Sequence, residues 1–155
     1  MSTATNKALA RRVFEEGFNQ GKAESIDELI AAEFVDHGAA PGVPDTGTES
    51  FRQTMLLFRT AFPDVHVTID DMIAEGDRVV TRSLWHGTHR GTFFGIPATG
   101  KSFSLTSTDI LRIEQGKVVE HWGNEDDLGM LQQLGILTQM AEAMQQTSGF
   151  SEADS

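Results

Sequence analysis

The chain has 155 residues, the size of one ordinary domain, and 39% hydrophobic residues, enough for a real core. Twelve Lys and Arg against 23 Asp and Glu give a formal charge of −11, a field that repels phosphate backbones and anionic lipid and so argues against nucleic acid or a membrane surface as partner. Cysteine is absent, which excludes thiol catalysis, disulfides and thiolate metal sites; no signal-peptide pattern or membrane-length apolar run is visible, so the expected location is cytoplasmic.

The first third reads as helical. Leu9, Val13, Phe14 and Phe18 form an apolar stripe that ends at Gly21. Ser25 with Glu28 three residues later is a capping-box pattern, which predicts a short helix through Leu29 and Ile30 and a helical stretch ending near His37. A Gly/Pro loop follows at 38–45. A third helix then starts at Gly47 or Thr48, with Phe51, Met55, Phe58 and Phe62 on one face, and Pro63 stops it. From Asp64 the period becomes two. Strands are predicted through Val65, Val67 and Ile69, over Arg78 to His89, over Phe103 to Ile113, and from Lys117 to about Asn124, the last two joined by a Gln115-Gly116 hairpin. Short helices are expected from Asp126 or Asp127 to Leu134 and from Ile136 to about Met144. Residues 1–145 read as one domain, and 146–155 as a small, polar, disordered tail. Helices first and antiparallel strands afterwards indicate an α+β fold, a curved sheet wrapped over three helices, with any pocket between the two.

Several motifs compete for a function. Gly95-Ile96-Pro97-Ala98-Thr99-Gly100-Lys101-Ser102 fits the phosphate-loop pattern, but alternating, strand-like residues follow it where a helix is needed, so it reads as a strand connection. His86 and His89 are three apart on a strand and point to opposite faces, which is wrong for a metal pair. Asp109 shares a strand face with Phe103, Leu105, Leu111 and Ile113. It is either a partly buried functional carboxylate or a rim group paired with Arg82 or Arg112. By spacing alone Asp126 is a helix N-cap. Glu125 and Asp127 flank it, and which of the three faces inward is left open. His37 is either a pocket histidine or a surface cap; Trp85 and Trp122 either pack the core or floor a flat aromatic ligand.

Taken in order, the fragments 14–21, Phe34-Val35-Asp36-His37, Phe62-Pro63-Asp64, 87–91, 95–101, 116–122 and 126–135 resemble the SnoaL-like polyketide cyclases of the nuclear-transport-factor-2-like superfamily. The resemblance implies a cone-shaped α+β barrel, often a homodimer, with a deep apolar pocket and no metal or cofactor. It implies ring closure of an aromatic polyketide ester by intramolecular aldol condensation. The family's acid/base is an aspartate four residues after the tryptophan of the last strand, which is Asp126 here. Asp109 and His89 are the nearest matches to its assisting polar residues. Phe14 would lie near the substrate, and His37, Trp85, Trp122, Phe51, Met55 and Phe62 would line the pocket of a small, apolar, aromatic molecule. Two other readings keep the fold. One is a dehydratase, isomerase or hydroxylase acting on a small apolar molecule; the other is a ligand-binding module without catalysis.

Overall fold

Ser2 opens the first helix by accepting a hydrogen bond from the Thr5 amide (3.0 Å). The computed structural model describes residues 2–147. Helix α1 (Thr3–Arg12) runs on into a π-helical stretch, Val13–Asn19, whose wider turn buries Phe14, Gly17 and Phe18 on one side. A 3-10 turn at Ala23–Ser25 leads into α2, a single turn over Ile26–Leu29.

Beyond Leu29 the predicted helix gives way to strand β1 (Ile30–Asp36). Ser25 has helical backbone angles and makes no capping bond; its hydroxyl donates to Glu16 instead (2.7 Å). One turn cannot sustain itself. The chain gains more by pairing β1 in parallel with β5 and burying Ile30 and Phe34. Helix α3 (Gly47–Ala61) follows, and Phe62-Pro63 ends it as predicted.

Strands β2 (His66–Glu75), β3 (Arg78–Thr88), β4 (Ser102–Glu114) and β5 (Lys117–Glu125) form the expected antiparallel run. The sheet order is β1-β5-β4-β3-β2, so β1 adds one parallel pair and the curved sheet stays open. At Gln115-Gly116 both residues have positive φ (50° and 75°), the geometry of a two-residue hairpin turn and the reason a glycine stands there. The free edge of β2 is partly covered by Asn19, whose amide both accepts from Val67 N (2.7 Å) and donates to Val67 O (3.0 Å). The 95–102 segment joins two strands and opens no helix, as its sequence indicates.

Helices α4 (Asp127–Leu134) and α5 (Leu137–Thr147) complete the chain. The tail expected at 146–155 lies outside the described residues except for Gln146 and Thr147, which continue α5. Among the described residues no helix is long and apolar enough to cross a membrane. The α1 unit and α3 lie across the concave side of the sheet. On β4 every odd-numbered residue from Phe103 to Ile113 is buried against them, Asp109 included.

Candidate active site

A cavity of two lobes opens between sheet and helices. The inner lobe lies between the concave face of the sheet and the helices. Aromatic rings dominate its wall, with Phe14, Phe18, Phe51, Phe58 and Trp85 all contributing. The outer lobe is walled by the 38–41 loop, Phe93 and Phe94, and by Met130, Met140 and Met144 of α4 and α5. The two meet at Asp36, Thr54, Phe58, His121 and Glu125, which line both.

Strand parity explains that junction. Cross-strand partners share a face, and the β4–β5 register pairs Leu111 with His121, Asp109 with Gly123, and Ser107 with Glu125. His121, Gly123 and Glu125 therefore point inward, while Glu120, Trp122 and Asn124 point out. The parallel partner of His121 on β1 is Asp36.

The result is a buried chain of charge. His121 donates from Nε2 to Asp109 (2.7 Å) and from Nδ1 to Asp36 (2.9 Å). Asp109 also accepts from the Ser107 hydroxyl (2.7 Å), and Asp36 from the Gly38 amide (2.9 Å). A Cβ at position 123 would lie 2.9 Å from Asp109 Oδ1 and 3.1 Å from the His121 ring, so glycine there is what lets the two side chains meet. Burial alone would push His121 down; the bonds to Asp109 and Asp36 outweigh it and raise its pKa to about 10, so the ring is an imidazolium. Burial likewise works against the Asp36 carboxylate, but the His121 bond wins and holds it below the usual range.

Glu125 behaves differently. Burial first, and then the like charges of Asp127 and Asp109, push its pKa up to about 7, with the His121 cation pulling the other way. Its side chain lines the open junction of the two lobes, where it is exposed by accessible surface. Asp127, at the outer lobe, is raised by burial and by Asp126 against the lowering effect of its contact with Glu125. A carboxyl that titrates near neutrality beside a fixed cation is suited to taking a proton from a weak carbon acid and returning it.

The residues singled out from sequence divide sharply. Phe14, Phe51, Trp85 and Asp109 line the inner lobe, and Asp109 pairs with a histidine because Arg82 and Arg112 lie on the other face. Asp126 is the N-cap of α4: it is exposed, accepts from Gly129 N (3.1 Å) and lines neither lobe. His89 is fully buried among Phe62 and Phe93, bonded to Thr99 (3.1 Å), its pKa lowered by burial, and it lies away from the cavity wall. Met55 and Phe62 are core residues, Phe62 packing on Phe103 at 4.7 Å between centroids. His37 and Trp122 stack on each other on the outer face of the sheet, at 4.8 Å and 11°. The residues missed were His121 and Asp36. The parity of β5 around Trp122 was their only signal, and it speaks only once β1 is known to be a strand. Among the described residues no group of three or more His, Asp or Glu is arranged to hold a metal ion.

A family model described as SnoaL-like polyketide cyclase matches residues 8–134. Aklanonic acid methyl ester cyclase DnrD of Streptomyces peucetius is 32% identical over 134 residues, covering 85% of this chain and 92% of that protein. The nogalonic acid methyl ester cyclase of Streptomyces nogalater is 29% identical over 119 residues, 76% of this chain and 89% of that one. The structure of TsrD from Streptomyces laurentii superposes with a TM-score of 0.79 at 31% identity, covering 88% of this chain and 99% of that chain. With its helix-filled open sheet and its match over most of its length, this chain belongs to the SnoaL-like polyketide cyclase family.

Proposed function

We propose that this protein closes a carbocyclic ring in an aromatic polyketide ester by intramolecular aldol condensation, with Glu125 as acid/base. The observation that carries this is the position of Glu125 at the junction of both lobes, next to the Asp36–His121–Asp109 chain, with a pKa near 7. An ordinary glutamate titrates near 4.3 and is a weak base at neutral pH; a desolvated one is better matched to a carbon acid.

In this mechanism the flat ring system lies against Phe14, Phe51, Phe58 and Trp85. The Glu125 carboxylate removes a proton from the carbon activated by ester and ketone. The enolate carbon attacks a ketone carbon of the same molecule, forming one C–C bond and an alkoxide, and the Glu125 carboxyl returns its proton to that oxygen. Atoms are conserved throughout. His121 keeps both its protons on Asp36 and Asp109; it contributes a fixed positive charge that stabilises enolate and alkoxide. Asp126 keeps its structural duty as a cap.

The related cyclases act on methyl esters, which makes a methyl-esterified aromatic polyketide with a side-chain ketone the substrate to try. Product mass is the test. Aldol closure gives an isomer of unchanged mass, whereas loss of a water would favour a dehydratase and gain of an oxygen a hydroxylase. A homodimer and a cytoplasmic location remain part of the proposal, and sedimentation at two concentrations tests the first.

A further inference from the structure

We propose that His37 and Trp122 form a clasp on the outside of the sheet that positions Asp36 and the 38–45 loop for the site within. The chain turns inside out at this point. Asp36 points inward to His121; His37, the next residue, points outward and lies flat on Trp122. Its Nε2 bonds Glu120 (2.7 Å), which Arg112 holds from its other side (2.5 Å), and Arg78 lies over the Trp122 ring at 5.1 Å. Immediately afterwards Gly38, Ala39, Ala40 and Pro41 form a wall of the outer lobe.

The inner and outer sides are mechanically joined. Asp36 Oδ1 accepts from both His121 Nδ1 and the Gly38 amide, while His37 N donates to His121 O (2.9 Å) and Asp36 N to Asp45 O (2.8 Å). These bonds and the His37 ring anchor the start of the 38–45 segment, which further along carries a Val43 N to Ala40 O bond (3.0 Å) and the prolines Pro41 and Pro44. Losing the stack frees residue 38, and with it one of the two donors that aim the Asp36 carboxylate. His37 is thus a positioning residue. It touches no part of the cavity, yet it governs how firmly Asp36 holds the His121 proton.

The proposal rests on the site as read above but not on turnover, so its test reads the imidazole directly. In the full chain with nitrogen-15-labelled histidine, His121 of the wild type is expected to be mainly imidazolium at pH 9. The groups facing it are Asp36, Asp109 and Glu125; His37 faces Glu120 and the Trp122 ring and, when protonated, also acts on Asp36 by charge. His37→Ala is expected to lower the His121 midpoint by about one pH unit, leaving roughly half of it neutral at pH 9. It is also expected to speed hydrogen exchange at the 37–45 amides. His37→Phe, which keeps a flat ring on Trp122, should restore both signals, and His37→Gln, which keeps only the Glu120 bond, should not. Arg82→Ala, exposed on the same outer face but not part of the stack, serves as a control and should leave both signals as in the wild type. A wild-type His121 spectrum and unchanged 37–45 exchange in His37→Ala would overturn the clasp, as would full retention of both in His37→Gln. A protein that shows these shifts but closes no ring would keep the clasp and lose the cyclase reading.

Discussion

Replacing Asp109 by Asn removes one charge from the Asp36–His121–Asp109 chain while keeping its shape. The amide oxygen can still accept from His121, and the Ser107 hydroxyl can rotate to accept from the new amide, so no polar group is orphaned. What is lost is half of the counter-charge to a buried cation. The gap between a His121 pKa of about 10 and its ordinary 6.5 corresponds to roughly 5 kcal/mol at about 1.4 kcal/mol per unit. Asp36 remains, so the variant should lose about 2–3 kcal/mol at pH 7, at the lower edge of what breaking a buried ion pair costs. For a chain of this length that is a fall in Tm of roughly 5–10 °C. The pKa of His121 is raised by folding, so its stabilising contribution is fully present below about 6.5 and is lost as pH rises through about 10. Urea unfolding followed by tryptophan fluorescence should therefore show wild type losing stability from pH 7 to 10, with the gap to Asp109→Asn narrowing over the same range. Equal stability of the two proteins at pH 7, or parallel pH profiles, would refute the charged-chain description.

Three further outcomes follow from the same geometry. Glu125→Gln should fold normally and close the ring about 10²–10⁴-fold more slowly, because it removes the proton carrier; the wild-type rate should rise with pH through about 7, and this limb should vanish in the variant. Gly123→Ala should drive Asp109 and His121 apart, since its Cβ would meet both at about 3 Å. It should lower activity and the His121 midpoint together, readable by kinetics and imidazole NMR. Asp126→Ala should cost only about 1 kcal/mol by chemical denaturation, the loss of one cap, and leave turnover close to wild type.

Local rules carried much of this fold. Alternation located four strands, and the odd-numbered face of β4 made Asp109 a candidate for burial, with a rim carboxylate paired to an arginine as the alternative that the register removes. β1 escaped because Ile30-Ala31-Ala32-Glu33 mixes helix formers with apolar residues, and the partner that makes it a strand lies almost ninety residues away in β5. The site depended on the same missing contact. Asp36 meets His121 only through the parallel β1–β5 pair, and counting four residues on from Trp122 reaches the cap of α4, not the cavity. Parity about Trp122 gives the better rule: with the tryptophan outside, 121, 123 and 125 must face in. Glu125 and Asp127 both line the cavity and Asp126 does not, and that Glu125 stands at the junction of the lobes was decided by a register that no local pattern contains. His37 and Trp122 show the converse error, since an aromatic pair beside a pocket looks the same in sequence whichever side of the sheet it occupies.

The most direct test of the account is the titration of the Glu125 side-chain carboxyl by carbon-13 NMR, with Glu125→Gln to assign the signal. A midpoint near 7 is the predicted result: a desolvated carboxyl, pressed by Asp127 and Asp109, ready to carry a proton at neutral pH. A midpoint at or below the ordinary 4.3 of a glutamate would contradict it, leaving the cavity without its acid/base.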